Sequence, residues 1–174
     1  KDDYGVLEIG MDKKGEIDYL SKIVQPDVSV ITNINYAHAK NFKNLKQIAL
    51  AKSEIIYNTK DNGFIVLNAD DNFFTFHKKI ALKKNLKIVS FGIKSKYSNI
   101  KFMNIKKFKK RFKVTIKINH LKTYFLIPND FENYISNILA ALAVMSIFLD
   151  ISKINKNIFD NFKVPNGRGD ISKI

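Results

Sequence analysis

The first 92 residues alternate between short apolar runs and segments of helical period, and this alternation restricts the fold more than any other feature. The runs "YGVLEIG" (4–10), "VSVIT" (28–32), "GFIVLN" (63–68) and "KIVSFG" (87–92) have the length and branched content of strands. Between them, "GEIDYLSKIVQP" (15–26) places Ile17, Leu20, Ile23 and Val24 at helical spacing before a proline stop. "NLKQIALAKSEIIYN" (44–58) does the same with Leu45, Ile48, Ala49, Ile55 and Ile56, and "DNFFTFHKKIAL" (71–82) reads as a further helix. Strand and helix in turn predict an α/β domain with a mostly parallel sheet and crossover helices.

A different period governs the segment that follows. Phe112, Val114, Ile116 and Ile118 alternate with Arg111, Lys113, Thr115 and Lys117, the pattern of a half-buried antiparallel strand, within a β extension expected over about 98–127. Residues 83–122 hold 14 Lys/Arg and no Asp/Glu, so this stretch alone carries the net charge of +14. A basic, aromatic-interleaved stretch is either an electrostatic footprint for nucleic acid or the wet face of strands. Only two of the 30 basic residues are arginine, Arg111 and Arg168, whereas bidentate phosphate and base-edge recognition favours arginine. The expectation is therefore a lysine-rich solvent face and no nucleic-acid partner, with a basic nucleic-acid-binding module as the alternative. After Pro128, "YISNILAALAVMSIFL" (134–149) predicts a helix, "KINKNIFDNF" (153–162) a shorter one, and "KVPNGRGD" a linker.

A chain of 174 residues that is 45% hydrophobic can bury the core of one domain. No run reaches the roughly 20 apolar residues of a membrane span, and the opening "KDDYGVLEIG" lacks the pattern of a signal peptide. A soluble, cytoplasmic protein without membrane insertion is expected. With no cysteine, disulfides, thiolate nucleophiles and Cys-ligated zinc are excluded.

Three residues carry candidate chemistry. Glu8 closes the first apolar run and His38 follows the second, so both would sit at the carboxyl edge of a parallel sheet, where such sheets bind ligands. Each is also readable as an ordinary surface residue, His38 more readily than Glu8. Lys52 lies seven after Leu45 and three before Ile55, inside the apolar stripe of its helix. One reading is a snorkelling side chain whose stem covers apolar neighbours. The other is a desolvated, partly neutral amine that adds to carbon dioxide and becomes a carbamate, an anion suited to a hard cation such as Mg²⁺. His77 and His120 have no ligand-spaced partners and read as structural.

Six segments change the weight of these readings: "EIGMDKKGEI" (8–17), "NINYAH" (33–38), "ALAKSEI" (49–55), "VLNADDN" (66–72), "SNILAALAVMS" (136–146) and "VPNGRGD" (164–170). In order and approximate spacing they resemble the Mur ligases, and the Glu-x-Gly followed by Gly-Glu-Ile resembles the branch that adds D-alanyl-D-alanine to UDP-N-acetylmuramoyl-tripeptide. The resemblance implies an ATP-dependent amide ligase of peptidoglycan precursor synthesis, in which a substrate carboxylate is phosphorylated and the acyl phosphate is attacked by an amine. It further implies that Glu8 is a ligand of one Mg²⁺, that His38 and carbamylated Lys52 hold a second, that Asn137 contacts adenine, that Arg168 reaches the ATP phosphates, and that Asn33 lies on the substrate side. A folylpolyglutamate synthase-like ligase is the nearest alternative.

Departures from the family pattern accompany these matches. The seven glycines include no Gly-Lys-Ser/Thr phosphate loop. Residues 1–163 are therefore expected to form most of a central, ATP-binding domain without its phosphate-loop part, and 164–174 a linker toward a C-terminal domain. The chain alone is expected to be inactive. Phe131, Asn133 and Tyr134 stand where the family has the Gly, His and Asn of Gly-x-His-Asn; Asp12 and Lys13 replace an Asn-His pair, and Asn41 a glycine.

Overall fold

The computed structural model describes residues 3–36 and 41–162. The chain divides within strand β3 (Lys87–Gly92) into two compact units, Lys1–Ser90 and Phe91–Ile174.

The first unit contains α1 (Glu16–Val24), β1 (Val28–Ile31), α2 (Leu45–Lys52), α3 (Glu54–Asn58), β2 (Phe64–Asn68), α4 (Phe74–Lys83) and most of β3. β1 and β2 run parallel, from Val28 opposite Phe64 to Ile31 opposite Leu67, and β3 is the other neighbour of β2. Ile31, Ile34, Ile48, Ala49, Ile56, Ile65, Leu67, Ala81 and Leu86 form one core, against which Leu45 and Ile55 pack. The stripe read from the sequence is thus the buried face of α2 and α3.

Local chemistry sets the ends of these helices. The Asn44 side chain accepts from the Gln47 N–H at 3.0 Å, and the Gln47 side chain accepts from the Lys43 N–H at 2.9 Å, a reciprocal cap at the start of α2. The single helix expected over 44–58 is broken at Ser53. Its hydroxyl donates back to the Leu50 carbonyl at 2.6 Å, and the Ile56 N–H bonds to the Ser53 carbonyl at 3.0 Å, a tighter turn than the α-helical one. α4 begins at Phe74 rather than 71 because Asp71 turns its carboxylate onto the Phe73 N–H at 2.7 Å.

One expected strand is absent. Residues 4–10 form no ladder, and Val6 and Leu7 are 96% and 66% exposed. An apolar run becomes a strand only where a neighbour takes its backbone hydrogen bonds, and no described strand does so here. Glu8 therefore does not close a strand.

In the second unit the end of β3 pairs in parallel with β4 (Ile100–Phe108), which is antiparallel to β5 (Arg111–Ile118), itself antiparallel to β6 (Leu121–Pro128). Val114 and Ile116 are buried while Lys117 is exposed, as the alternation predicts. A 3-10 turn, Asn129–Tyr134, leads into α5 (Ile135–Phe148). By length and composition alone, Phe131–Phe148 is apolar enough to cross a bilayer, but Ile138, Leu139, Leu142 and Ala143 are buried in a helix that packs on β4.

The short helix expected over 153–162 is instead a 3-10 turn, Ile151–Lys153, followed by successive turns. The Asn155 side chain takes the Asn157 N–H at 3.0 Å, and the Lys156 carbonyl is committed to the Leu126 N–H of β6 at 2.8 Å. Both withdraw groups that a helix would use. Phe159 is held by an edge contact to Phe125, 5.9 Å between centroids, and Asp160 by Arg111 at 2.8 Å. The result is an α/β fold with a mixed sheet, parallel first and antiparallel through the basic segment.

Candidate active site

Lys52 lies where the parallel strands β1 and β2 end. Lys52 is the last residue of α2, half-buried, and its Nζ donates to the Asn33 carbonyl at 2.9 Å, just beyond the carboxyl end of β1. Burial pushes this amine below the ordinary lysine range, with the Asp71 carboxylate acting partly in the opposite direction. One of its three donors is thus spent on a backbone carbonyl.

The loops around it are fastened from β2. Beyond its carboxyl end, the Asp71 carboxylate accepts from the Ile34 N–H and from the Phe73 N–H, both at 2.7 Å. Asn68, the last residue of β2, donates to the Thr32 carbonyl at 3.0 Å and accepts from the Asp70 N–H at 2.9 Å. Thr32 and Ile34 are thus each tied to β2 or its loop, with Asn33 between them. Beneath lies His77 of α4, only 2% exposed, with Nε2 3.0 Å from the Ala49 carbonyl. Burial lowers its pKa; the Ala49 hydrogen bond and the Asp71 charge act upward, the Lys52 charge downward. His77 is structural, as its lack of ligand-spaced partners implies.

The remaining candidates are placed as follows. Glu8 is exposed on the irregular segment before α1. Asn33 contributes its backbone carbonyl to Lys52. Asn137 is exposed in the first turn of α5, in the second unit. His38 and Arg168 lie outside the described residues. Phe131, in the place of a family glycine, is buried, with its ring 5.6 Å from Tyr134 and 6.3 Å from Phe162.

Asp71 and Asn68 were visible in the sequence only as part of the segment "VLNADDN". Their partners lie 37 and 36 residues away, so no local periodicity could mark them.

A hard cation takes oxygen donors. Among the described residues no three His, Asp or Glu side chains converge to hold a metal ion. Each Asp71 oxygen accepts one backbone N–H group. The unconverted Lys52 amine is no ligand for such an ion, but as a carbamate it would contribute oxygen at the end of β1, and the exposed Glu8 carboxylate is chemically compatible. The donor types fit Mg²⁺ on that condition.

Comparison with known proteins identifies the family. The family model described as the Mur ligase middle domain matches residues 1–145. The UDP-N-acetylmuramoyl-tripeptide–D-alanyl-D-alanine ligase of Buchnera aphidicola is 38% identical over 159 residues, 90% of this chain and 34% of that protein. The enzyme of the same name from Rickettsia prowazekii is 31% identical over 175 residues, 99% of this chain and 38% of that protein. Among solved structures, MurF from Acinetobacter baumannii superposes with a TM-score of 0.71 at 27% identity, covering 82% of this chain and 30% of that one. The chain spans about a third of the length of these relatives.

Proposed function

Because the chain belongs to the Mur ligase family, matching its middle domain over residues 1–145, we propose that it is the ATP-using part of a longer ligase that joins D-alanyl-D-alanine to UDP-N-acetylmuramoyl-tripeptide. The names of the sequence relatives support this substrate pair. The observation that carries the reading is Lys52: a half-buried amine with lowered pKa, bonded to Asn33 beside the carboxyl ends of two parallel strands.

In this reading the Lys52 nitrogen attacks the carbon of CO₂. A new N–C bond forms, a C=O electron pair moves onto oxygen, and the displaced proton leaves for solvent. Lys52, as the carbamate, would hold Mg²⁺ together with His38, and Glu8 would hold a second ion. The metal, when bound, offsets the negative charge of the ATP phosphates and of the substrate carboxylate. Asn137 is assigned to adenine and Arg168 to the phosphates, and Asn33 lines the substrate side.

The reaction has two stages. The tripeptide carboxylate takes the γ-phosphoryl group, releasing ADP; the amine of D-alanyl-D-alanine then attacks the acyl carbon and displaces inorganic phosphate. Residues 164–174 act as the link to an amine-binding domain, and the cytoplasm, where ATP is abundant, is the proposed setting.

The test is ATP turnover by the full-length protein. It should release phosphate only when both UDP-N-acetylmuramoyl-tripeptide and D-alanyl-D-alanine are present, while the 174-residue chain shows none. Release stimulated by a folate and glutamate instead would redirect the substrate assignment.

A further inference from the structure

We infer that Asn68 and Asp71 are positioning residues for Lys52, a clamp that fixes the Asn33 carbonyl and thereby the orientation of the group built on the lysine amine. The inference rests on the carbamate reading of Lys52. Its geometric basis is that the residue before Asn33 and the residue after it are each tied down: Asn68 Nδ2 donates to the Thr32 carbonyl at 3.0 Å, and Asp71 Oδ2 accepts from the Ile34 N–H at 2.7 Å. The carbonyl between these anchors is the one that receives the Lys52 Nζ at 2.9 Å.

Asp71 does more than hold the loop. Its other oxygen takes the Phe73 N–H at 2.7 Å, so the segment after β1 is tied to the residue that precedes α4. Asn68 is itself oriented by the Asp70 N–H on its oxygen, which leaves its amide nitrogen to face Thr32. Each clamp residue is therefore fixed by its own loop before it acts on the neighbouring one.

A carbamylated lysine retains one N–H. Donated to Asn33, that hydrogen restricts rotation of the new group, so its oxygens are presented in one direction rather than sampled over several. A clamped carbonyl serves this purpose; a mobile loop carbonyl does not.

The experiment measures carbamate on the full-length protein by ¹³C NMR under ¹³C-labelled bicarbonate, with Lys52→Ala identifying the Lys52 signal. Asn68→Ala removes one tie without changing charge. It should lower carbamate occupancy at equal bicarbonate about threefold or more, the factor that corresponds to one ordinary hydrogen bond. Asp71→Asn takes a negative charge away from Lys52, which by itself would favour the anionic carbamate, and leaves one acceptor oxygen for the two backbone N–H groups; a fall in occupancy there runs against the charge change and follows from the weakened clamp, and a fall is expected. Ile65→Val, a buried core change that alters no hydrogen-bonding group of the clamp, should leave occupancy unchanged although it lowers stability. Should Asp71→Asn fail to fold, Asn68→Ala decides. Wild-type occupancy in both clamp variants, a rise in Asp71→Asn, or an equal fall in Ile65→Val overturns the clamp while leaving the carbamate reading standing. No Lys52 signal in the wild-type full-length protein overturns the carbamate reading, and the clamp with it.

Discussion

Glu54 reaches the N–H of Gly15 with both carboxylate oxygens, at 3.0 and 3.1 Å, and takes the Asp18 N–H at 3.1 Å as well. The first residue of α3 thereby caps the start of α1, at the helix end where negative charge is favourable. Glu54→Ala should destabilise the chain by about 1–2 kcal/mol, the range for losing charge-assisted hydrogen bonds that are partly solvent-exposed. Urea unfolding followed by circular dichroism measures it. A midpoint equal to wild type would mean that the cap contributes nothing.

Gly63 is a site of close approach. A Cβ there would lie 2.7 Å from the Lys60 carbonyl oxygen and 2.8 Å from that of Asp27, both backbone atoms that cannot swing aside. The same turn carries the Phe64 N–H to the Asp27 carbonyl at 3.0 Å, which opens the β1–β2 ladder. Gly63→Ala is expected to cost about 1–3 kcal/mol through overpacking. Thermal unfolding of the purified variant checks this, and an unchanged midpoint would contradict it.

His77 should make stability depend on pH. Its folded pKa is pushed down by burial from an ordinary value of about 6.5, so the unfolded chain binds a proton that the folded chain resists. The His77 contribution is therefore complete above about pH 6.5 and is lost as pH falls below that value toward the folded pKa. Replacing His77 with Gln retains a donor for the Ala49 carbonyl and removes the titration. Urea midpoints taken from pH 7.5 to 5.5 should fall less steeply in His77→Gln than in wild type; parallel slopes would remove His77 from the account.

Much of the fold was legible because its periods are local. The burial of Val114 and Ile116 against the exposure of Lys117 follows from alternation alone, and the inward placement of Lys52 follows from its position in the stripe. What was not legible depends on partners far along the chain. The run at 4–10 has the composition of a strand but no described strand beside it. Residues 153–162 have a helical pattern, but the Lys156 carbonyl is claimed by β6. Asp71 resembles any turn aspartate until Ile34 is brought against it. Local pattern thus locates Lys52, whereas tertiary contacts alone show how its surroundings are built.

The basic strands are expected to be a solvated face rather than a nucleic-acid site. Lys113 lies 4.1 Å from the centre of the Tyr124 ring, so one of these lysines covers an aromatic of the neighbouring strand. Any retention on RNA or DNA at low salt should vanish near physiological salt, as non-specific attraction does. Gel-shift binding that persists at physiological salt and is abolished by charge reversal at Lys107, Lys109, Lys110 and Lys113, with the fold intact, would contradict this.

The central claim is that Lys52 acts as a carbamate, and Lys52→Ala in the full-length ligase tests it most directly. Alanine is a good helix former and leaves no buried charge, so folding should survive. Lys52→Arg should fail as a substitute, since a guanidinium stays protonated and cannot add to CO₂. The measurement is D-alanyl-D-alanine-dependent phosphate release by Lys52→Ala with and without added formate or acetate. The expected loss is at least the roughly 10–100-fold that losing even an outer partner of a metal ligand costs, with partial recovery when a small carboxylate occupies the vacated place. Turnover near wild type in Lys52→Ala under CO₂-depleted buffer would contradict it, and would leave Lys52 as a helix lysine bonded to a loop carbonyl.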